Sequence, residues 1–225
     1  MSRDVSFVIP VLNEQAVVAD LLRDLRQRYP HSQLIVVDGG SADQTVAMAL
    51  PLCDQLLLCE PGRARQMNLG GRVASRPYLF FLHADSRPGI SSSALDNCLS
   101  QHPLWGFCRV RLSGQDRMFR IIEWCMNQRS RLTHIATGDQ MLFMCKELFD
   151  RTAGFDDLPL MEDVAYCKRL RRVQRPYVIQ AAVWTSSRRW EEGGVMSTVL
   201  RMWCLRLGYF LGVAPGTLWR HYYGG

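Results

Sequence analysis

An acid at the end of a greasy strand, a pair of acids far downstream and an arginine-bearing glycine loop are the parts of this chain equipped for chemistry. Leu79-Phe80-Phe81-Leu82-His83-Ala84-Asp85-Ser86 begins as a run of large apolar residues, the pattern of a strand buried on both faces of a parallel sheet. In open α/β sheets ligands bind beyond the carboxyl ends of the strands, and Asp85 stands at such an end. Its carboxylate is a hard oxygen ligand, suited to a Mg²⁺ or Mn²⁺ ion that bridges to a phosphate. Gly62-Arg63-Ala64-Arg65-Gln66-Met67-Asn68-Leu69-Gly70-Gly71 reads as a loop opening a helix, where free amides and the helix dipole attract phosphate. Arg63 and Arg65 add charge-assisted hydrogen bonds; a solvated helix start is the competing reading. Glu162-Asp163 opens a predicted helix, where the dipole alone favours acids. The alternative role is a general base that takes a proton from an attacking hydroxyl. The combination points to metal-assisted transfer from a nucleotide-activated substrate.

Three further sites carry two readings each. Asp38, closing a predicted strand before Gly39-Gly40, either accepts turn amides or accepts from a base N–H or a ribose hydroxyl. His83 is either a satisfied core histidine or part of the site. Arg188-Arg189-Trp190 is either a solvated basic turn or a cluster that holds diphosphate and stacks on a sugar.

The elements that must position these residues alternate. Strands are expected at Val5–Ile9, Leu34–Val37, Gln55–Leu58 and Tyr78–His83, with helices over Glu14–Tyr29 and Ala42–Leu50 and in Gly62–Ala74. Such alternation argues for a doubly wound parallel sheet. Beyond residue 88 the pattern changes. Helices are expected over Ser91–Ser100, Gln115–Arg129 and Val164–Val173, and strands over Gln140–Cys145 and Tyr177–Val183. Gly106–Leu112 alternates like an edge or antiparallel strand, and the tail from Glu191 is mostly helical, with Trp203, Leu207 and Phe210 on one face.

The 225 residues suit one domain with a small C-terminal elaboration. Hydrophobic content of 48% against 21% charged excludes a disordered chain. A net charge of +6 suits anionic partners without choosing among them. The eight cysteines form no C-x-x-C pair, so reduced thiols are expected. The first apolar stretch meets Pro10 too early for a signal segment. These two points lead to the expectation of a cytoplasmic protein. The best membrane candidate, Val199 to Val213, is short and carries Arg201 and Arg206, whereas a spanning helix needs roughly 20 apolar residues.

Taken together the motifs resemble glycosyltransferase family 2, inverting enzymes of the GT-A fold. Phe7-Val8-Ile9-Pro10-Val11-Leu12-Asn13-Glu14 is similar to that family's opening strand, and Val36-Val37-Asp38-Gly39-Gly40-Ser41-Ala42-Asp43-Gln44-Thr45 to its second-strand motif. Phe81-Leu82-His83-Ala84-Asp85 falls where the family carries D-x-D; Thr137-Gly138-Asp139-Gln140 and Met161-Glu162-Asp163 resemble its acceptor-side and base motifs. The loop at Gly62, the Asp85 segment and Ser186-Ser187-Arg188-Arg189-Trp190 also resemble a compact bacterial subset named for genomic association with radical-SAM and selenium-related proteins.

The resemblance implies an α/β GT-A fold, a mostly parallel sheet with helices on both faces and a helical tail. It implies a nucleotide-sugar-binding half over 1–88, an acceptor-binding half over 89–190 and a tail over 191–225. Pro10, Leu12 and Glu14 would line the nucleotide pocket and Asp38 would contact the base, usually uracil. Arg65 and Asn68 would lie near ribose and phosphate, with His83, Ala84 and Asp85 on the donor side. Asp85 would hold the divalent metal, Mn²⁺ or Mg²⁺. Asp163 would be the catalytic base with Glu162 beside it. Gly138, Asp139, Gln140, Arg188, Arg189 and Trp190 would face acceptor and diphosphate. The chain departs from the family twice: His83 replaces the first acid of D-x-D, and Ser186 replaces the Gln of Q-x-x-R-W. With no spanning helix, the expected reaction is transfer of a single sugar to an unknown hydroxyl acceptor; acceptors of such enzymes are often lipid-linked.

Two rivals stand beside this reading. A nucleotidyltransferase would carry its glycine-rich basic loop directly after the first strand, where this chain has Pro10-Val11-Leu12-Asn13-Glu14. A non-catalytic module binding phosphates or a membrane surface through Arg188, Arg189, Arg201 and Arg206 would need no metal and would weaken steeply with salt. The tail helix would then lie on a bilayer; otherwise it is buried or forms a homodimer contact.

Overall fold

The computed structural model describes residues 4–187, 191 and 194–223. Arg188, Arg189 and Trp190, expected at the diphosphate, lie outside the described residues. The first half runs β1 (Val5–Val11), α1 (Val18–Arg28), β2 (Gln33–Asp38), α2 (Thr45–Ala49), β3 (Gln55–Leu58), α3 (Arg63–Val73) and β4 (Tyr78–Phe81). The second runs β5 (Ser86–Pro88), α4 (Ser92–Leu99), β6 (Trp105–Leu112), α5 (Arg117–Thr133), a 3₁₀ turn (Gly138–Gln140), β7 (Phe143–Cys145), α6 (Lys146–Arg151), α7 (Glu162–Val173) and β8 (Tyr177–Thr185). Two tail helices follow, α8 (Val195–Phe210) and α9 (Pro215–Tyr223).

The strands form one sheet in the order β3-β2-β1-β4-β7-β6-β8-β5. The first four are parallel, β7 runs against both β4 and β6, and β6 is parallel to β8. The expected parallel sheet is therefore present in the first half and mixed in the second. Of the two alternatives for Gly106–Leu112, the antiparallel one holds, since β6 pairs antiparallel with β7, and the edge position does not, since β6 lies between β7 and β8. Its first residues are all buried, and alternation begins only at Arg109, so the exposed arginines disguised an interior strand.

Strand periodicity sorts the core into two layers. Val5, Phe7, Ile9 and Val11 of β1, with Leu34 and Val36 of β2 and Phe80 of β4, face α1, α2 and α4. Val8, Ile35, Val37, Leu79 and Phe81 face α3, α6 and α7, and the tail helices join this second layer through Leu205 and Leu218. Each large side chain buried in this way contributes roughly 1.5–3 kcal/mol. Helices thus cover both faces, the arrangement that keeps parallel strands apolar throughout.

Gly70 and Gly71 are not part of a phosphate loop. They sit inside α3, where a side chain on Gly70 would collide with Val8 and one on Gly71 with the Phe149 ring. The glycines let α3 approach the sheet closely, and only its first turn faces the strand ends.

Candidate active site

The carboxyl ends of β1 and β2 are laced together by polar side chains. Asn13, at φ 56, donates its amide to Ser41 Oγ at 2.8 Å and accepts from the Ala42 N–H at 2.9 Å. The Glu14 N–H donates to Thr45 Oγ1 at 2.8 Å. Asp38 is buried and accepts from the Gly40 and Ser41 amides at 2.8 and 2.9 Å, and from the Ser41 hydroxyl. Its carboxylate therefore takes the turn-capping role. Leu12 is exposed and Glu14 half-buried on the rim of this lace.

Several of the residues expected at the ligands also make contacts that hold the fold together. Pro10 is buried within β1, paired with Val37, and Ala84 is buried in the first core layer. Asn68 donates to the Phe155 carbonyl and accepts from its amide, both at 2.8 Å. It clamps the loop after α6. Gln140 is fully buried, accepting from Ser130 Oγ at 2.6 Å and the Thr137 N–H at 3.2 Å. It anchors the 3₁₀ turn. Arg65 is exposed and paired with Asp157 and Glu60, at 3.0 and 2.8 Å.

Other expected residues do converge. A side chain on Gly138 would collide with the imidazole of His83, so the 3₁₀ turn lies flat against the end of β4. His83 Nδ1 is 3.9 Å from Asp139 Oδ1, an ion pair whenever the ring is protonated. The Gly138 N–H donates to Asp163 Oδ2 at 2.8 Å, and the Val164 N–H to Oδ1 at 2.6 Å. His83, the 3₁₀ turn and the start of α7 thus form one connected cluster, drawn from positions 80 residues apart in sequence.

Glu162 and Asp163 begin α7 after Met161, which adopts a left-handed conformation at φ 68. Burial pushes both carboxyls up, Glu162 to about 7, with the neighbouring Asp163 charge adding to its shift. For Asp163 the amides of Gly138 and Val164 oppose burial, as do Arg63 and Arg129. Arg129, near the end of α5, has its own pKa lowered by burial, against the pull of Asp163 and Asp139. Its Nε has no hydrogen-bond partner among the described residues. Sequence reasoning gave Arg129 no role, and its polar neighbours Asn127, Gln128, Ser130 and Arg131 hide it in what reads as a solvated helix end. It also favoured Arg65 over Arg63, although Arg63 is the one whose charge reaches the acid pair.

The donor set fits a metal ion of one kind only. Among the described residues no three His, Cys, Asp or Glu side chains converge into a cage. Asp85 is exposed and accepts from Ser86 Oγ at 3.3 Å. A single exposed carboxylate in the turn between β4 and β5 suits an ion that brings its remaining oxygens from water and a diphosphate.

Residues 6–89 match the family model described as Glycosyl transferase family 2. No curated protein matches the chain in sequence. Among solved structures, S. aureus TarS 1-349 in complex with UDP is similar at 15% identity and a TM-score of 0.66, over 81% of this chain and 60% of that one. The chain therefore spans about 60% of that relative's length. A mannosyltransferase, PcManGT from Pyrobaculum calidifontis, in complex with GDP-Man and Mn²⁺, gives 20% identity and a TM-score of 0.58, over 80% of this chain and 56% of that one. Glucosyl-3-phosphoglycerate synthase from Mycobacterium tuberculosis, in complex with Mn²⁺, UDP and phosphoglyceric acid, gives 18% identity and 0.61, over 93% and 78%. These likenesses establish the fold, the α/β GT-A architecture with its mostly parallel sheet.

Proposed function

We propose that the chain is an inverting, metal-dependent glycosyltransferase that moves one sugar from a nucleoside-diphosphate sugar, UDP-linked by preference, to a hydroxyl acceptor. The observation that carries this is the Asp163 carboxylate, fixed by two backbone amides beside the end of β4 and raised in pKa by burial. A base must be aimed and must hold its proton affinity near the working pH; burial supplies the second and the amides the first. The family match over the first 84 residues of the sheet region supports a nucleotide donor, as do the UDP and GDP-Man complexes of the similar structures.

In this reading residues 1–88 bind the donor, 89–190 the acceptor, and 191–225 form an appended helical tail. The donor lies across the ends of β1, β2 and β4, with Leu12 and Glu14 on its rim. Asp163 accepts the acceptor hydroxyl's proton as the oxygen attacks the anomeric carbon opposite the departing diphosphate. Asp139 and Gly138 border the acceptor side. Asp85 would hold Mn²⁺ or Mg²⁺, which when bound neutralises charge on the diphosphate. Arg63 and Arg129 add positive charge beside the same region, where negative charge develops in transfer. Holding both substrates in line supplies much of the remaining rate.

The test is stabilisation by ligands. Nucleoside diphosphates with Mn²⁺ should raise the unfolding temperature by several degrees, since binding at about 100 times Kd adds roughly 2.7 kcal/mol. Asp85→Ala should lose the Mn²⁺-dependent part and keep its ligand-free stability, because Asp85 is exposed. No stabilisation by any nucleoside diphosphate or nucleotide sugar, with or without Mn²⁺, would sink the proposal.

A further inference from the structure

A second feature stands apart from the acid pair, on α5 and α8. The inner side of α8 meets the protein through Met202, Leu205 and Tyr209. On the opposite side Leu200, Trp203, Leu207, Phe210 and Leu211 recur at three- and four-residue spacing and form one stripe. Their exposure runs from 60% at Leu200 to 75% at Leu211, far from the burial such residues normally seek. The neighbouring helix repeats the pattern. Val199 of α8 packs with Phe119, Ile122 and Met126 of α5, while α5 leaves Met118, Ile121, Trp124 and Leu132 exposed.

The charges of the two tail helices have one sign. From Gly194 to Tyr223 the chain carries Arg201, Arg206 and Arg220 and no Asp or Glu. At helical spacing Arg201 and Arg206 fall on opposite flanks of the apolar stripe. Arg201 is exposed, with its guanidinium over the Tyr222 ring, whereas Arg206 is half-buried and its Nε is enclosed by protein; an arginine placed as Arg201 is keeps its head in a polar layer while its stem lies along apolar surface. Among the described residues no helix is long and apolar enough to cross a membrane. A helix with a Trp-, Phe- and Leu-bearing face and arginine flanks is built instead to lie in the plane of a bilayer surface. A second copy of the chain is a poorer occupant. A two-fold contact through α8 would set arginines against arginines, with no acid on either tail helix to pair them.

We propose that α5 and α8 form a docking face for a bilayer rich in anionic lipid. The proposal stands independently of the sugar chemistry.

Flotation with vesicles of phosphatidylcholine, alone and mixed with phosphatidylglycerol, tests it on the full chain. The protein should float with the mixed vesicles, fail to float with the neutral ones, and dissociate as salt is raised. Trp203→Glu combined with Leu207→Glu should weaken binding by more than about tenfold, and Arg201→Glu by at least roughly fivefold. Both variants should retain the wild-type unfolding temperature, since the replaced side chains are exposed. Absence of flotation with anionic vesicles, or a double variant that floats like wild type, would overturn the proposal. So would a concentration-dependent dimer in sedimentation that the double variant abolishes, which would assign the stripe to self-association.

Discussion

Asp163→Asn is expected to abolish sugar transfer while leaving donor binding nearly intact. The amide is isosteric, and its oxygen can still accept from the Gly138 N–H, the bond that ties α7 to the 3₁₀ turn. What is lost is the proton acceptor. A positioned general base contributes typically 10²–10⁴-fold, so kcat should fall by about a thousandfold. Donor affinity, measured by calorimetry with a nucleoside diphosphate and Mn²⁺, should change by less than about threefold, since uniform binding is untouched. The wild-type rate should also rise with pH through the raised pKa of Asp163 and then level. Loss of donor affinity equal to the loss of rate would assign Asp163 to the donor instead.

Glu162→Gln is expected to stabilise the protein above neutral pH. The Glu162 carboxyl is buried, and burial with the adjacent Asp163 charge raises it from 4.5 to about 7. Between those values the folded state holds a proton that the unfolded state has released. Stability from this group is therefore present at low pH and declines as pH rises through about 7. Glutamine fills the same space and stays neutral, so it escapes the decline. Urea unfolding should show the variant more stable than wild type at pH 8 by roughly 1–3 kcal/mol, the gap narrowing toward pH 5. Asp163 is raised by burial as well, so a slope of the same sign should persist in the variant. Equal stability of the two proteins at pH 8 would mean that Glu162 is relaxed by solvent or by a partner and carries no strain.

Much of the frame was legible because it is periodic. β4 announced itself by a run of large apolar residues, although it ends at Phe81 and not at His83, so that Asp85 stands four residues beyond it, directly before β5. The start of α7 was legible from two acids, and the switch after residue 88 is the point where parallel pairing gives way to the antiparallel β7. What escaped has no period. β5 is three residues long, and α6 is a six-residue helix hidden in a loop. The polar residues were harder still. Gln66 reads as a phosphate-loop residue, yet its buried amide donates to the carbonyls of Val11 and Val37, both at 2.8 Å, and ties the ends of β1 and β2 together. Asn68 reads the same way and clamps Phe155, 87 residues on. A buried amide is satisfied by whichever backbone the fold brings near it, and that is decided by topology, not by neighbours in sequence. The same holds for Arg129, whose place beside the acid pair depends on where the last turns of α5 come to rest.

The most direct test is to follow by ³¹P NMR what becomes of nucleotide sugars incubated with the protein and Mn²⁺, water serving as a slow surrogate acceptor. The account predicts release of the nucleoside diphosphate, and loss of that release in Asp163→Asn. Appearance of nucleoside monophosphate or pyrophosphate would contradict it, because the bond broken would then lie within the diphosphate. Release undiminished in Asp163→Asn would contradict it as well, by removing the base on which the proposed chemistry rests.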